Sequence, residues 1–347
     1  MELVYLGLDA HARHCVLVCM DSEGKLLNQW RFATSESEIV RHVAAVQAKH
    51  KRLAIEEGSL THWIANLIKP YVDEVFICDP RENAAIGLHP HKNDGRDAYQ
   101  LARLLRLGEL KRVYHATEDH RAFFKAAVQQ YLDLRGQTVA LKLKIKSKYR
   151  TWGVVEVEGT AVYTLKSREK YLKQVAAPVI SHQLQRLYGV LDQNQKAQAE
   201  ALKEAVALGK KYPEIAQFQQ VPGVGVIGAH VFDAYIQTPD RFGSVQKLWR
   251  YAQLGICDRS SDGKPLGFRR LDRSGNSELK SMSYFAWKGS LQTLQPNEVR
   301  SYYEASLQRT HNKVHARLNT QRKILCVLWT IWKRKEPYRP ERFAGLN

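Results

Sequence analysis

Two carboxylates three residues apart stand in the stretch His91-Lys92-Asn93-Asp94-Gly95-Arg96-Asp97-Ala98. An apolar run at helical spacing, Leu101, Leu104 and Leu105, follows directly. If Asp94 and Asp97 open that helix, their i,i+3 interval puts both on one face. The first turn of a helix also favours Asp, because the dipole is positive there. Two acids on one face suit a hard divalent cation, Mg2+ or Mn2+, bound through oxygen. The plainer reading is one capping Asp and one solvated Asp. The choice between them depends on which other acids the fold brings alongside.

The preceding elements supply two. Residues 3–9 read as a buried strand ending on Asp9, and Cys15 to Met20 as a second. Asp21-Ser22-Glu23-Gly24 is a turn signal leading to a third strand near Leu26–Phe32. Ser35-Glu36-Ser37-Glu38 starts a helix whose apolar face is Ile39, Val43 and Val46. A strand through Leu53-Ala54-Ile55 runs into Glu56-Glu57-Gly58, a helix carries Trp63, Leu67 and Ile68, and Val75–Cys78 is a further strand. The order β-β-β-α-β-α-β-α describes an α/β layer fold. In such sheets the ligand crevice lies at the carboxyl ends of strands. Asp9, Glu56, Asp94 and Asp97 could therefore converge there.

Gly7-Leu8-Asp9, Ile55-Glu56 and Lys92-Asn93-Asp94-Gly95-Arg96-Asp97-Ala98, in that order, resemble the RuvC-like (ribonuclease H-like) domain of the DEDD transposases of bacterial insertion sequences. Members commonly carry a single Glu before a small residue and Gly. This chain has Glu56-Glu57-Gly58-Ser59, and Glu56 is taken as the match, with Glu57 as the alternative. The resemblance implies a domain over residues 1–116, a helical coiled-coil arm over 117–208, and a helical C-terminal transposase domain over 209–347.

The arm is read from Phe123 to Leu134 as one long helix and from Leu184 to Leu208 as another. Between them, Leu141 to Arg150 alternates apolar and basic residues, which taken alone fits a strand. The surrounding pattern and the family favour a helix, and either form presents cations suited to phosphate. Val221-Pro222-Gly223-Val224-Gly225 looks like the turn of a helix-hairpin-helix. There Gly223 and Gly225 would let backbone amides approach a phosphate without reading sequence. The plainer alternative is a tight turn between packed helices.

The resemblance continues through Phe242, Leu254-Gly255-Ile256, Arg259-Ser260-Ser261-Asp262-Gly263-Lys264 and Ser274-Gly275-Asn276 to a closing helix with Val327-Leu328-Trp329. It places the family's nucleophilic serine at Ser261, with Ser260 one residue away. The residues themselves read as a short polar loop flanked by Arg259, Lys264, Arg269 and Arg270, cations suited to a phosphodiester. No histidine stands near enough in sequence to activate the hydroxyl. That fits a serine that meets metal ions held on another domain.

Fifty-three Lys and Arg against 35 Asp and Glu leave a net charge of +18 over 347 residues, which argues for a polyanionic partner. No apolar run has the length of a membrane span, and no signal peptide opens the chain. The five cysteines are odd in number and lack paired spacing, as expected of reduced thiols in a bacterial cytoplasmic protein. The resemblance further implies covalent phosphoserine chemistry on DNA, a structured bridge RNA as guide, and assembly as homodimers or homotetramers. The rivals are a RuvC-like metal-dependent junction nuclease and a non-catalytic DNA-binding scaffold.

Overall fold

The computed structural model describes residues 1–79, 94–116, 119–261 and 264–344, and only the backbone of residues 258–261, 264–269 and 344. His91-Lys92-Asn93 and Asp262-Gly263 therefore lie outside the described residues. The chain divides into two compact units, Met1–His115 and Ala116–Asn347.

The first unit is built on a five-stranded sheet. Strands β1 (Leu3–Ala10), β2 (His14–Asp21) and β3 (Leu26–Ala33) form an antiparallel meander; β4 (His50–Glu56) lies parallel to β1, and β5 (Glu74–Cys78) parallel to β4. The spatial order is β3-β2-β1-β4-β5. Asp21 accepts from the Glu23 and Lys25 amides and Gly24 takes a positive φ of 93°, which closes the β2–β3 turn.

Alternation sends Val4, Leu6, Leu8, Leu17, Leu53 and Ile55 to one face, where they pack against Ile39 and Val43 of α1 (Glu36–Ala45) and Ile64 and Ile68 of α2 (Thr61–Ile68). The Ser35 hydroxyl accepts from the Glu38 amide and caps α1. The opposite face takes α3 (Asp94–Leu107), whose Ala98, Leu101, Ala102 and Leu105 meet Val16, Val18, Met20, Ala54 and Cys78. The result is three layers, helix–sheet–helix.

Gly7 sets how closely α3 approaches. A Cβ there would fall 2.0 Å from the Ala98 carbonyl oxygen and 2.6 Å from the Ala102 amide nitrogen. Gly7→Ala should push α3 off the sheet and cost about 3 kcal/mol, the upper range for overpacking. Urea unfolding should show a lower midpoint with an unchanged slope; an unchanged midpoint would refute the close fit.

In the second unit, α4 (Asp119–Thr151) and α6 (Pro178–Gly209) run antiparallel, with α5 (Leu165–Leu172) in the connection between them. Their far ends share a core of Ile145, Tyr149, Val162, Leu184, Tyr188 and Leu191. Arg168 is clamped beside it, both of its terminal nitrogens 2.6 Å from the Asp192 carboxylate. The alternating stretch at Leu141–Arg150 is helical. Ile145 and Tyr149, one turn apart, are fully buried, while Leu143 is 63% exposed, so the helical period wins over the period of two.

The near ends do not form a separate arm, as the boundary at 208 supposed. Phe124, Val128, Tyr131, Ala201 and Ala205 belong to one core with the C-terminal helices. These are α7 (Glu214–Phe218), α8 (Val226–Ile236), α9 (Val245–Tyr251), α10 (Ser277–Gln292), α11 (Glu298–Thr310), α12 (Lys313–Arg334) and α13 (Glu341–Ala344). Arg121 near the start of α4 adds a buried ionic tie, reaching Asp233 of α8 and, at 2.9 Å, Glu214 of α7. A hairpin of β6 (Ile256–Ser261) and β7 (Lys264–Leu271) completes the unit.

Candidate active site

Asp94 and Asp97 approach Asp9 at the carboxyl end of β1, and Glu56 ends the neighbouring strand β4. In the parallel pairing of β1 with β4, Leu8 stands opposite Ile55, so the next residues, Asp9 and Glu56, lie side by side at the strands' carboxyl ends. Gly7 and Ala54 both face α3. Two residues on, Asp9 and Glu56 share that face. Glu57 falls on the other parity, and its amide continues the ladder to the Cys78 carbonyl at 2.9 Å. Asp94 and Asp97 form the first turn of α3.

The electrostatics record the crowding. Burial pushes the Asp9 carboxyl up; His11 opposes this, and the nearby Asp97 and Asp94 carboxylates push it further. Asp94 is held below the usual range, first by the hydrogen bond to His14. His14 Nε2 lies 2.8 Å from Asp94 Oδ2, and Arg31 Nη2 is 3.8 Å from the same oxygen. His11 Nε2 stands 3.1 Å from Asp9 Oδ2 and 3.6 Å from Asp94 Oδ1. A divalent cation would relieve the repulsion among these carboxylates, and their hard oxygens fit such an ion.

His11, His14 and Arg31 were not among the residues singled out from the sequence. The available signal was His11-Ala12-Arg13-His14, two histidines three apart directly after the Asp9 strand. Pairing brings in Arg31, which stands opposite Val16 and so shares the α3 face with His14 and Asp9.

In the second unit, the two glycines of the Val221–Gly225 turn have different surroundings. Gly223 has a φ of +84°, and a Cβ there would lie 2.0 Å from the Ala286 carbonyl oxygen of α10. Its lack of a side chain serves helix packing. Gly225 is exposed, a Cβ on it would meet nothing within 4 Å, and it precedes α8 with no side-chain cap. The amides opening α8 thus have no capping side chain.

Arg259 to Lys264 does not form a loop throughout. Arg259, Ser260 and Ser261 end β6, and Lys264 begins β7, with Ser261 paired to Lys264 and Ser260 to Pro265. The side chains of Arg259, Ser261, Lys264 and Arg269 lie outside the described residues; Arg270 is exposed.

Residues 6–150 match the family model DEDD_Tnp_IS110, described as a transposase, and residues 215–304 match the transposase IS116/IS110/IS902 family. The chain therefore belongs to the IS110 family of insertion-sequence transposases. Two proteins of Sinorhizobium fredii (strain NBRC 101917 / NGR234) described as transposases are similar to it. One, y4qE, is 24% identical over 291 residues, covering 80% of this chain and 69% of its own. The other, y4pF/y4sB, is 25% identical over 291 residues, covering 81% and 72%. Membership carries DNA binding and DNA-cleaving and recombining activity in the broad sense, and the DEDD type suggests a divalent metal. Among the described residues no helix is long and apolar enough to cross a membrane.

Proposed function

We propose that the protein cuts and rejoins DNA during movement of its insertion sequence, with unit 1 acting as a RuvC-like catalytic domain. Asp9, Glu56, Asp94 and Asp97 would hold Mg2+ or Mn2+. The bound ions would supply charge neutralisation at the scissile phosphate and a lowered pKa for the attacking hydroxyl. The observation that carries this reading is the crowding of Asp9 with Asp94 and Asp97 at a strand end, where burial and like charge work against ionisation.

Ser261 is the proposed nucleophile. Its Oγ forms a bond to phosphorus, the phosphorus–O3′ bond breaks, and the serine proton is lost as the leaving oxygen becomes a 3′-hydroxyl. Arg259, Lys264, Arg269 and Arg270 would hold the phosphodiester. The family resemblance adds a bridge RNA that pairs with donor and target DNA, and a homodimer or homotetramer in which acids and serine can come from different subunits. The charge of +18 suits both nucleic acids.

The test is recombination of element-end DNA by the whole protein with its flanking RNA. Joined products should form with Mg2+ or Mn2+ and vanish with chelator. Joining in excess chelator would refute the metal role, and joining without RNA would refute the guide.

The open start of α8 is the proposed phosphate contact. Gly225→Val should weaken binding to all DNA duplexes alike, by roughly fivefold, because backbone contacts carry no base information. Its φ of −78° admits any residue, so stability should change by less than about 1 kcal/mol. Fluorescence anisotropy on several unrelated duplexes measures this; a loss confined to one sequence would contradict it.

A further inference from the structure

We infer that His11, His14 and Asp94 form a site for a borderline divalent cation such as Zn2+ or Co2+, and that Arg31 is the resident cation such an ion displaces. One ligating atom from each of the three residues lies within 4.8 Å of the others. The nearest approaches to Asp94 are 2.8 Å from His14 Nε2 to Oδ2 and 3.6 Å from His11 Nε2 to Oδ1, so each imidazole faces its own oxygen of the carboxylate. Ligand atoms in a tetrahedral zinc site stand about 3.3 Å apart, given bonds of about 2.0–2.1 Å. Small side-chain rotations close the difference. Asp9 Oδ2, 3.1 Å from His11 Nε2, is placed to be a fourth ligand.

The turn carrying the two imidazoles is held in place. The His11 amide donates to the His14 carbonyl at 3.0 Å, the Thr34 hydroxyl donates to the His11 carbonyl at 2.6 Å, and the Thr34 amide donates to the Arg13 carbonyl at 3.2 Å. The two rings stand 5.3 Å apart. Imidazole nitrogen suits Zn2+ and Co2+, whereas carboxylate oxygen alone suits Mg2+ and Mn2+.

Arg31 has the opposite role. Its Nη2 lies 3.0 Å from His14 Nε2 and 3.8 Å from Asp94, so it occupies the position of a counter-ion. Its side chain is 64% exposed and can swing into solvent. A metal must displace it, and its charge opposes the metal's.

The site shares Asp94, and Asp9 as fourth ligand, with the Mg2+ or Mn2+ site proposed above but does not rest on the cleavage chemistry, so each can fail alone. The experiment titrates the full-length protein, free of nucleic acid, with Zn2+ by calorimetry and with Co2+ by visible absorption. Wild type should show one site that is lost or weakened at least tenfold in His11→Ala and in His14→Ala, since removing a ligand costs at least what removing its supporting residue does. His14→Gln, which keeps a hydrogen-bond donor beside Asp94, should lose the same binding. Arg31→Ala should tighten it about threefold or more. The inference is overturned if the His11→Ala/His14→Ala double variant binds Zn2+ as wild type does, if His14→Gln retains full affinity, or if Arg31→Ala weakens binding. In none of these cases would Mg2+-dependent cleavage be called into question.

Discussion

Asp94→Asn should lower DNA cleavage by about 10^3-fold or more, while the protein folds and melts as before. Asp94 begins α3 with its carboxylate held by His14, so it is ionised at neutral pH. Asp9 is pushed up by burial and by its neighbours, a repulsion that a bound cation would offset. On the proposed reading, loss of Asp94 removes an oxygen ligand and part of the charge that would draw a divalent cation to the site. Several kcal/mol of transition-state stabilisation go with the metal, and about 4 kcal/mol is already about 10^3-fold. Asparagine keeps the shape and the carbonyl that accepts from His14, and the carboxyl side chain is 34% exposed, so stability should shift by under about 1 kcal/mol. Asp9→Asn and Asp97→Asn should behave alike. Cleavage of labelled element ends in Mg2+, set beside a thermal melt, measures both quantities. Wild-type cleavage by any of the three variants would remove that residue from the site.

Ser261→Ala should abolish strand joining, again by about 10^3-fold or more, as removal of a nucleophile does elsewhere. The backbone at Ser261 is ordinary strand paired to Lys264, so alanine is accommodated. With the serine gone there is no atom to carry the DNA end between cleavage and joining. Ser260→Ala provides the register control: the neighbouring position in the strand, paired to Pro265, should leave joining largely intact. If Ser260→Ala is the dead variant, the nucleophile is one residue earlier. If both variants cut efficiently, water is the nucleophile and the enzyme acts as a nuclease.

The strand and helix order of the first unit was legible because its signals are local. Alternation over residues 3–9, the Asp21–Gly24 turn and the Ser35 cap each act within a few residues. The placement of Asp9 and Glu56 at strand ends and of Asp94 and Asp97 at a helix start was legible for the same reason. His11, His14 and Arg31 were not, since they meet only through the pairing of three strands and the docking of α3, which no short window encodes. Tertiary packing also decided other places where the sequence was ambiguous or misleading. Residues 141–150 follow the helical period because Ile145 and Tyr149 have a core to enter. Gly223 was read as a phosphate-approaching glycine, whereas its near neighbour is the α10 backbone. Residues 259–261 were read as loop because their polarity hides a hairpin register that only backbone pairing reveals. The two long helices expected as a helical or coiled-coil arm over 117–208 pair along their length and also share a core with the C-terminal segment, because Phe124, Tyr131 and Ala201 bury themselves there.

The central claim is that metal held by the acid cluster lets a serine of this chain take the DNA end. Its most direct test is to stop the reaction of protein, RNA, Mg2+ and end-labelled DNA with denaturant, digest the products with nuclease and protease, and read by mass spectrometry which peptide carries nucleotide. The prediction is a nucleotide on Ser261 that is absent with chelator and in Asp94→Asn. Efficient cleavage with free DNA ends and no modified peptide, or a nucleotide on Ser261 that forms in excess chelator, would contradict it.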